Sequence, residues 1–110
     1  MFCEVHEAIK TLSNLSYKTH KVITGVCIRT FKNIRSFSCS TNVTFEKITA
    51  QEIDYYIQKY EPFDKAGSYG IQEWIGQTRI KKINGCYYNI MGLPLNQLYN
   101  NLIEEKVITF

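Results

Sequence analysis

Residues 61–72 read Glu61-Pro62-Phe63-Asp64-Lys65-Ala66-Gly67-Ser68-Tyr69-Gly70-Ile71-Gln72, and the fold turns on how this stretch is read. Pro62 stops a preceding helix, because it lacks an N–H to donate and disfavours helical geometry in the residue before it. Gly67 and Gly70 are expected to supply backbone angles that a Cβ would forbid. A glycine loop of this kind brings backbone amides close to a polyanion, although a plain tight turn uses the same residues. Asp64 and Lys65 stand at its entrance and Gln72 at its exit.

Working outward, the chain alternates. Val5, Ile9, Leu12 and Leu15 recur at helical spacing and predict an amphipathic helix over about residues 4–15. His20 to Thr30 reads as a strand with Val22, Thr24, Val26 and Ile28 on one face. A turn at Phe31 to Ile34 leads to a second strand, in which Phe37, Cys39, Thr41, Val43 and Phe45 alternate with polar residues. Their short separation makes the pair antiparallel. Thr49 and Glu52 form a capping box for the helix that Pro62 ends, with Ile53, Ile57 and Tyr60 inward and Asp54 and Gln58 in water. After the loop, Thr78 to Ile83 and Cys86 to Met91 flank Asn84-Gly85 and predict a second hairpin. Pro94 suits the first turn of a last helix, whose buried stripe is expected to be Leu95, Leu98, Tyr99 and Leu102. The expected class is α/β, in an α+β-like form: a mixed twisted sheet with antiparallel hairpins flanked by helices.

At 110 residues, 45% hydrophobic and 21% charged, the chain corresponds to one domain or part of one. A net charge of +3 suits an anionic ligand and is far from a nucleic-acid-coating tail. No apolar run approaches the roughly 18 residues of a membrane span. The start of the chain, with Glu4, His6 and Glu7, does not read as a signal peptide, so the expected location is cytoplasmic. Cys3, Cys27, Cys39 and Cys86 share no zinc or redox spacing and are expected as small buried hydrophobes, with Cys27 and Cys39 as possible neighbours across the first hairpin. His6 and His20 lack partners at ligand spacing.

The segment from Glu61 to Gln72 closely resembles the "EP-x-DKAG-x-YGIQ" run of the Maf family, nucleoside triphosphate pyrophosphatases also described as septum-formation inhibitors. The later "I-x-G-x-Y-x-N-x-x-GLPL" stands as Ile83, Gly85, Tyr87, Asn89, Gly92, Leu93, Pro94 and Leu95. Upstream, Glu7-Ala8, Leu12, Leu15-Ser16, His20, Val22 and Thr24-Gly25-Val26 match a further family run, with Tyr17 where the family usually has glycine. The resemblance implies a Maf/ITPase-like layer and water attack at the α-phosphorus of dTTP/UTP-type nucleotides, releasing pyrophosphate. It also implies a divalent cation (Mg²⁺ or Mn²⁺), a nucleoside triphosphate as substrate partner, and a homodimer.

It also begins mid-pattern. No S-x-x-R precedes Glu4 and no Asp-Thr pair occurs, so the proton-acceptor aspartate, the metal-binding acids and the phosphate-gripping arginine are expected in a missing N-terminal half. Residues 1–110 are accordingly expected as a single partial domain, with no catalytic residue of their own and an unknown metal set. Met1 is then an internal start, a wrongly assigned start or the remnant of a disrupted gene. Such a chain is expected to be nearly inactive alone, with a non-catalytic nucleotide-binding or regulatory remnant as the alternative.

By the resemblance, Gln72 sets base specificity, Lys65 touches phosphate, and Asp64 orders the loop or joins the metal shell. Physical chemistry agrees for Gln72: uracil and thymine present an acceptor beside an N3–H donor, and one carboxamide complements both. Bland readings stand beside these: an Asp64–Lys65 pair that locks the loop, and Gln72 as a loop-stabilising amide. Glu73 is expected to point away. Tyr69 and Trp74 are read as core anchors ahead of base-stacking groups, and Arg79, Lys81 and Lys82 as a solvated face.

Overall fold

A computed structural model describes residues 2–65 and 68–110. Gly67, one of the two glycines expected to bend the loop, lies outside them, as does the side chain of Cys3. Helix α1 (Phe2–Leu15) forms as the apolar spacing predicts, but its buried line differs in detail. Ala8 and Leu12 are fully buried and Leu15 partly so, whereas Val5 and Ile9 are each 39% exposed.

The turn after α1 falls at Tyr17, whose φ of 59° is left-handed. This conformation costs a side-chain-bearing residue about 1–2 kcal/mol relative to glycine. Its N–H donates to Glu46 O at 3.1 Å, which ties the turn to the segment 46–49 ahead of residue 50.

Strands β1 (Thr19–Arg29) and β2 (Ile34–Phe45) pair antiparallel from Thr19↔Thr44 to Arg29↔Ile34 without a register shift. Their alternation is as expected. In this register Cys27 faces Ser36 and Cys39 faces Thr24, so the two cysteines are not cross-strand partners. Nor are the cysteines with described side chains core residues: Cys27 is exposed, and Cys39 and Cys86 are half-buried.

Helix α2 (Ala50–Tyr60) starts with the capping box. Glu52 N–H donates to Thr49 Oγ1 (3.1 Å) and Thr49 N–H to Glu52 Oε1 (2.9 Å), an arrangement worth about 1 kcal/mol. It ends where Pro62 requires, with Glu61 at φ 46°, and a 3₁₀ turn follows over Pro62–Asp64. Ile53, Tyr56 and Ile57 are buried on its inner face.

Beyond the loop the expected second hairpin is absent among the described residues. Residues Trp74–Arg79 form helix α3, Ile80–Asn84 form strand β3, and Tyr87–Met91 form the short helix α4. Strand β3 pairs antiparallel with the second edge of β2, with a register irregularity at Thr44/Phe45, giving the sheet order β1-β2-β3. Gly85 does turn the chain, at φ 136°. The segment after it coils because its contacts lie under the first hairpin, not beside β3. Asn89 is fully buried, and its Nδ2 donates to Val22 O (3.2 Å), Cys39 O (3.2 Å) and Thr41 Oγ1 (2.9 Å).

Gly92 ends α4, and α5 (Leu95–Glu104) follows Pro94. The expected stripe of α5 is not buried: Leu95 and Tyr99 are 46% and 44% exposed, and Leu98 and Leu102 are half-buried. The fold is therefore mixed α/β, a three-stranded antiparallel sheet flanked by helices. Among the described residues no helix is long and apolar enough to cross a membrane.

Candidate functional site at the glycine loop

Tyr69 enters the core where the chain leaves the 3₁₀ turn and the loop. Its ring meets Phe45 of β2 edge-on (centroids 5.2 Å), and its hydroxyl bonds His20 Nε2 of β1 at 2.9 Å. His20 in turn stacks on Phe45 at 5.5 Å. Burial holds the His20 imidazole below its usual pKa and pushes the Tyr69 phenol up to about 12. At neutral pH the pair is an uncharged hydrogen bond joining β1 to the loop.

The next residues turn tightly. Gly70 N–H donates to Tyr56 Oη at 2.9 Å, and Glu73 N–H closes the turn onto Gly70 O at 3.0 Å. Gly70 was expected to supply an unusual backbone angle, but Ser68 takes the left-handed φ of 63° instead. Gly70 leaves room for the Glu73 carboxylate: a Cβ there would sit 2.5 Å from Glu73 Oε1 and push that side chain aside. Gly76 of α3 is tighter still, since its Cβ would fall 1.9 Å from Ile71 O. Ile71 is buried between these contacts. The backbone carbonyl of Gln72 accepts from Gln77 Nε2 at 3.0 Å, while its side chain is exposed and makes no hydrogen bond among the described residues.

This turn forms one side of a cleft of about 280 Å³, lined by Lys65, Tyr69, Gly70, Ile71 and Gln72 against Ile90, Met91 and Gly92. That volume is at the low end of small-molecule sites, room for a nucleoside-sized group rather than a whole triphosphate. The far wall is carried by α4, which Asn89 fastens to both strands of the first hairpin.

Two of the three residues singled out in the sequence, Lys65 and Gln72, thus line one cleft; Asp64 is exposed and is not among its lining residues. Asp64 and Lys65 form no ion pair among the described residues, whose ion pairs are Arg35 with Glu104 and Glu105 and Arg79 with Glu52. Trp74 packs on Tyr55 and Tyr56 as a core anchor. Lys81 and Lys82 are exposed, whereas Arg79 ends α3 and donates to Lys47 O at 3.2 Å. Glu73 does turn away from the cleft, onto Tyr56. Sequence reasoning missed Tyr56, Gly76 and Asn89 as builders of the site. The i, i+3, i+4 spacing of Ile53, Tyr56 and Ile57 marks Tyr56 as inward, but nothing in it shows that the hydroxyl has two partners.

For the divalent cation that the resemblance implies, the donor set here does not fit. Among the described residues no three His, Cys, Asp or Glu side chains converge, and the cleft is lined by one ammonium, one phenol, one carboxamide and apolar groups.

The family pattern described as "Maf-like protein" matches residues 4–105. The chain is 55% identical over 96 residues to a dTTP/UTP pyrophosphatase of Porphyromonas gingivalis, covering 87% of this chain and 48% of that protein. To proteins of the same name from Phocaeicola vulgatus and Bacteroides thetaiotaomicron it is 56% and 50% identical, over 87% and 86% of this chain and 50% and 49% of theirs. The chain thus spans about half the length of the curated relatives it matches. Its glycine loop, its first hairpin and its GLPL turn all fall within the matched residues, and the chain belongs to the Maf family.

Proposed function

We propose that this chain supplies the base-reading wall, and a phosphate contact, of a nucleoside triphosphate pyrophosphatase acting on dTTP/UTP-type nucleotides. The observation that carries the reading is the cleft itself: an exposed carboxamide and a lysine share it, and the Tyr69–Gln72 segment is held by bonds at the Tyr69 hydroxyl, Gly70 N–H and the Gln72 carbonyl. In this reading the Gln72 amide pairs with the acceptor and N3–H edge of a pyrimidine, and the Lys65 ammonium meets phosphate. Asp64 stands at the loop entrance, outside the cleft lining, and in this reading it orders the loop. The proposed setting is the cytoplasmic nucleotide pool, with a homodimer as the assembly.

Hydrolysis needs more than this wall. The titratable groups lining the cleft are Lys65 and Tyr69, and a phenol with a pKa near 12 is not a base at neutral pH. A missing general base alone costs about 10²- to 10⁴-fold. A divalent cation would neutralise triphosphate charge, but the residues here do not form its shell, and no step is assigned through it. This favours a second reading for the chain acting by itself: nucleotide binding without turnover.

The test measures dTTP, UTP and GTP binding to the full chain by thermal stabilisation, alongside pyrophosphate release with Mg²⁺ or Mn²⁺. Gln72→Glu should shift the dTTP:GTP affinity ratio toward GTP by roughly tenfold, the weight of about one hydrogen bond gained or lost. An unchanged ratio would remove Gln72 from the base-reading role.

A further inference from the structure

We propose that Tyr56 and Glu73 are positioning residues that set base preference by holding the Gly70–Gln72 turn in one arrangement. The inference rests on the cleft being the nucleotide site. Neither side chain lines the cleft, so neither is placed to touch a ligand. Tyr56 is fully buried on α2, whose N-terminus is fixed by the capping box. Its hydroxyl uses both of its roles at once, accepting from Gly70 N–H at 2.9 Å and donating to Glu73 Oε1 at 2.5 Å.

Glu73 closes the ring from the other side. Its N–H bonds Gly70 O at 3.0 Å, and it stands at the N-cap of α3. Its carboxyl oxygen occupies the space that a Cβ on Gly70 would need. Gly70, Tyr56 and Glu73 therefore enclose the turn that carries Gln72, and α3 approaches it so closely at Gly76 that a Cβ there would stand 1.9 Å from Ile71 O. A carboxamide can read adjacent donor and acceptor atoms only if the backbone that carries it is placed opposite them, and displacements of about an ångström at such groups are costly. Burial and the bond to Glu73 push the Tyr56 phenol well above its usual range, so it remains a donor at all working pH values.

The test uses Tyr56→Phe, which deletes one oxygen and preserves the ring packing, together with Glu73→Ala and Glu73→Gln in the full chain. Two readouts are taken: the backbone amide resonances of Gly70, Ile71 and Gln72 without nucleotide, and the ratio of dTTP to GTP affinity. Tyr56→Phe and Glu73→Ala should move those resonances and pull the ratio toward one by roughly fivefold. Glu73→Gln, which keeps an acceptor oxygen for Tyr56, should retain most of the wild-type ratio. Equal weakening toward both nucleotides, or an unchanged ratio, would reduce the pair to fold support and overturn the inference. If the wild-type chain binds neither nucleotide, the cleft reading fails, and the resonances decide positioning alone. Shifts centred on Gly70–Gln72 then sustain it, and their absence refutes it.

Discussion

The two ends of this molecule are built differently. At the loop end, Ala8 and Leu12 of α1, Val43 and Phe45 of β2, Ile48, the inner face of α2, Tyr69, Ile71 and Ile75 form one buried cluster. At the other end, β1 and β2 run on as a ribbon whose residues alternate between exposed and half-buried, and Phe31 at its tip is fully exposed. Helix α5 joins that tip through polar contacts, with Arg35 paired to Glu104 and Glu105 and Asn33 Nδ2 on Glu105. Partly exposed pairs of this kind contribute about 0–1 kcal/mol each.

The shape records the difference. The radius of gyration is 16.9 Å, whereas a compact chain of this length would have about 13 Å. Tight packing lies under the cleft, where side chains must be held, and is thin elsewhere.

The largest effect that sharpens this contrast comes from truncating leucines at the two ends. Leu12→Ala, in the buried cluster, should cost about 3–4 kcal/mol, and Leu102→Ala on α5 about 1 kcal/mol, by urea unfolding of the full chain. Equal costs would erase the distinction. A smaller effect separates two glycines. Gly76→Ala should cost about 2 kcal/mol, because its Cβ meets backbone, while Gly25→Ala on the open ribbon should be neutral or stabilise by about 0.5 kcal/mol.

The smallest concerns pH. Burial lowers the His20 pKa, so as pH falls through 6.5 the unfolded chain takes up a proton that the folded chain still refuses. Stability should be full above that value and decline as pH falls through the folded-state pKa. In His20→Gln the decline from about pH 7 to about pH 5 should be shallower. Identical pH profiles would mean that the fold does not depress the His20 pKa.

Much of the packed end was legible in the sequence. The capping box, the alternation of the first hairpin and the stop at Pro62 are local signals that tertiary structure left intact. Asn84-Gly85 misled because a two-residue turn signal says nothing about which edge a strand will join. The open edge of β2 took Ile80–Asn84, and Asn89 drew the next segment under the hairpin. The apolar stripe of α5 was expected to be buried and is not, because periodicity cannot say whether anything covers a helix face. In the cleft, Lys65 and Gln72 were visible through the family motif. The ring of Gly70, Tyr56 and Glu73 was not, since it joins α2 to a loop 14 residues away through a hydroxyl.

The most direct measurement is titration of the ¹⁵N-labelled full chain with dTTP, followed residue by residue. The account predicts saturable shifts at Lys65, at Gly70 to Gln72 and at Ile90 to Gly92, with the ribbon tip at Thr30 to Asn33 unmoved. Shifts gathered at the tip, or none at millimolar dTTP, would contradict it.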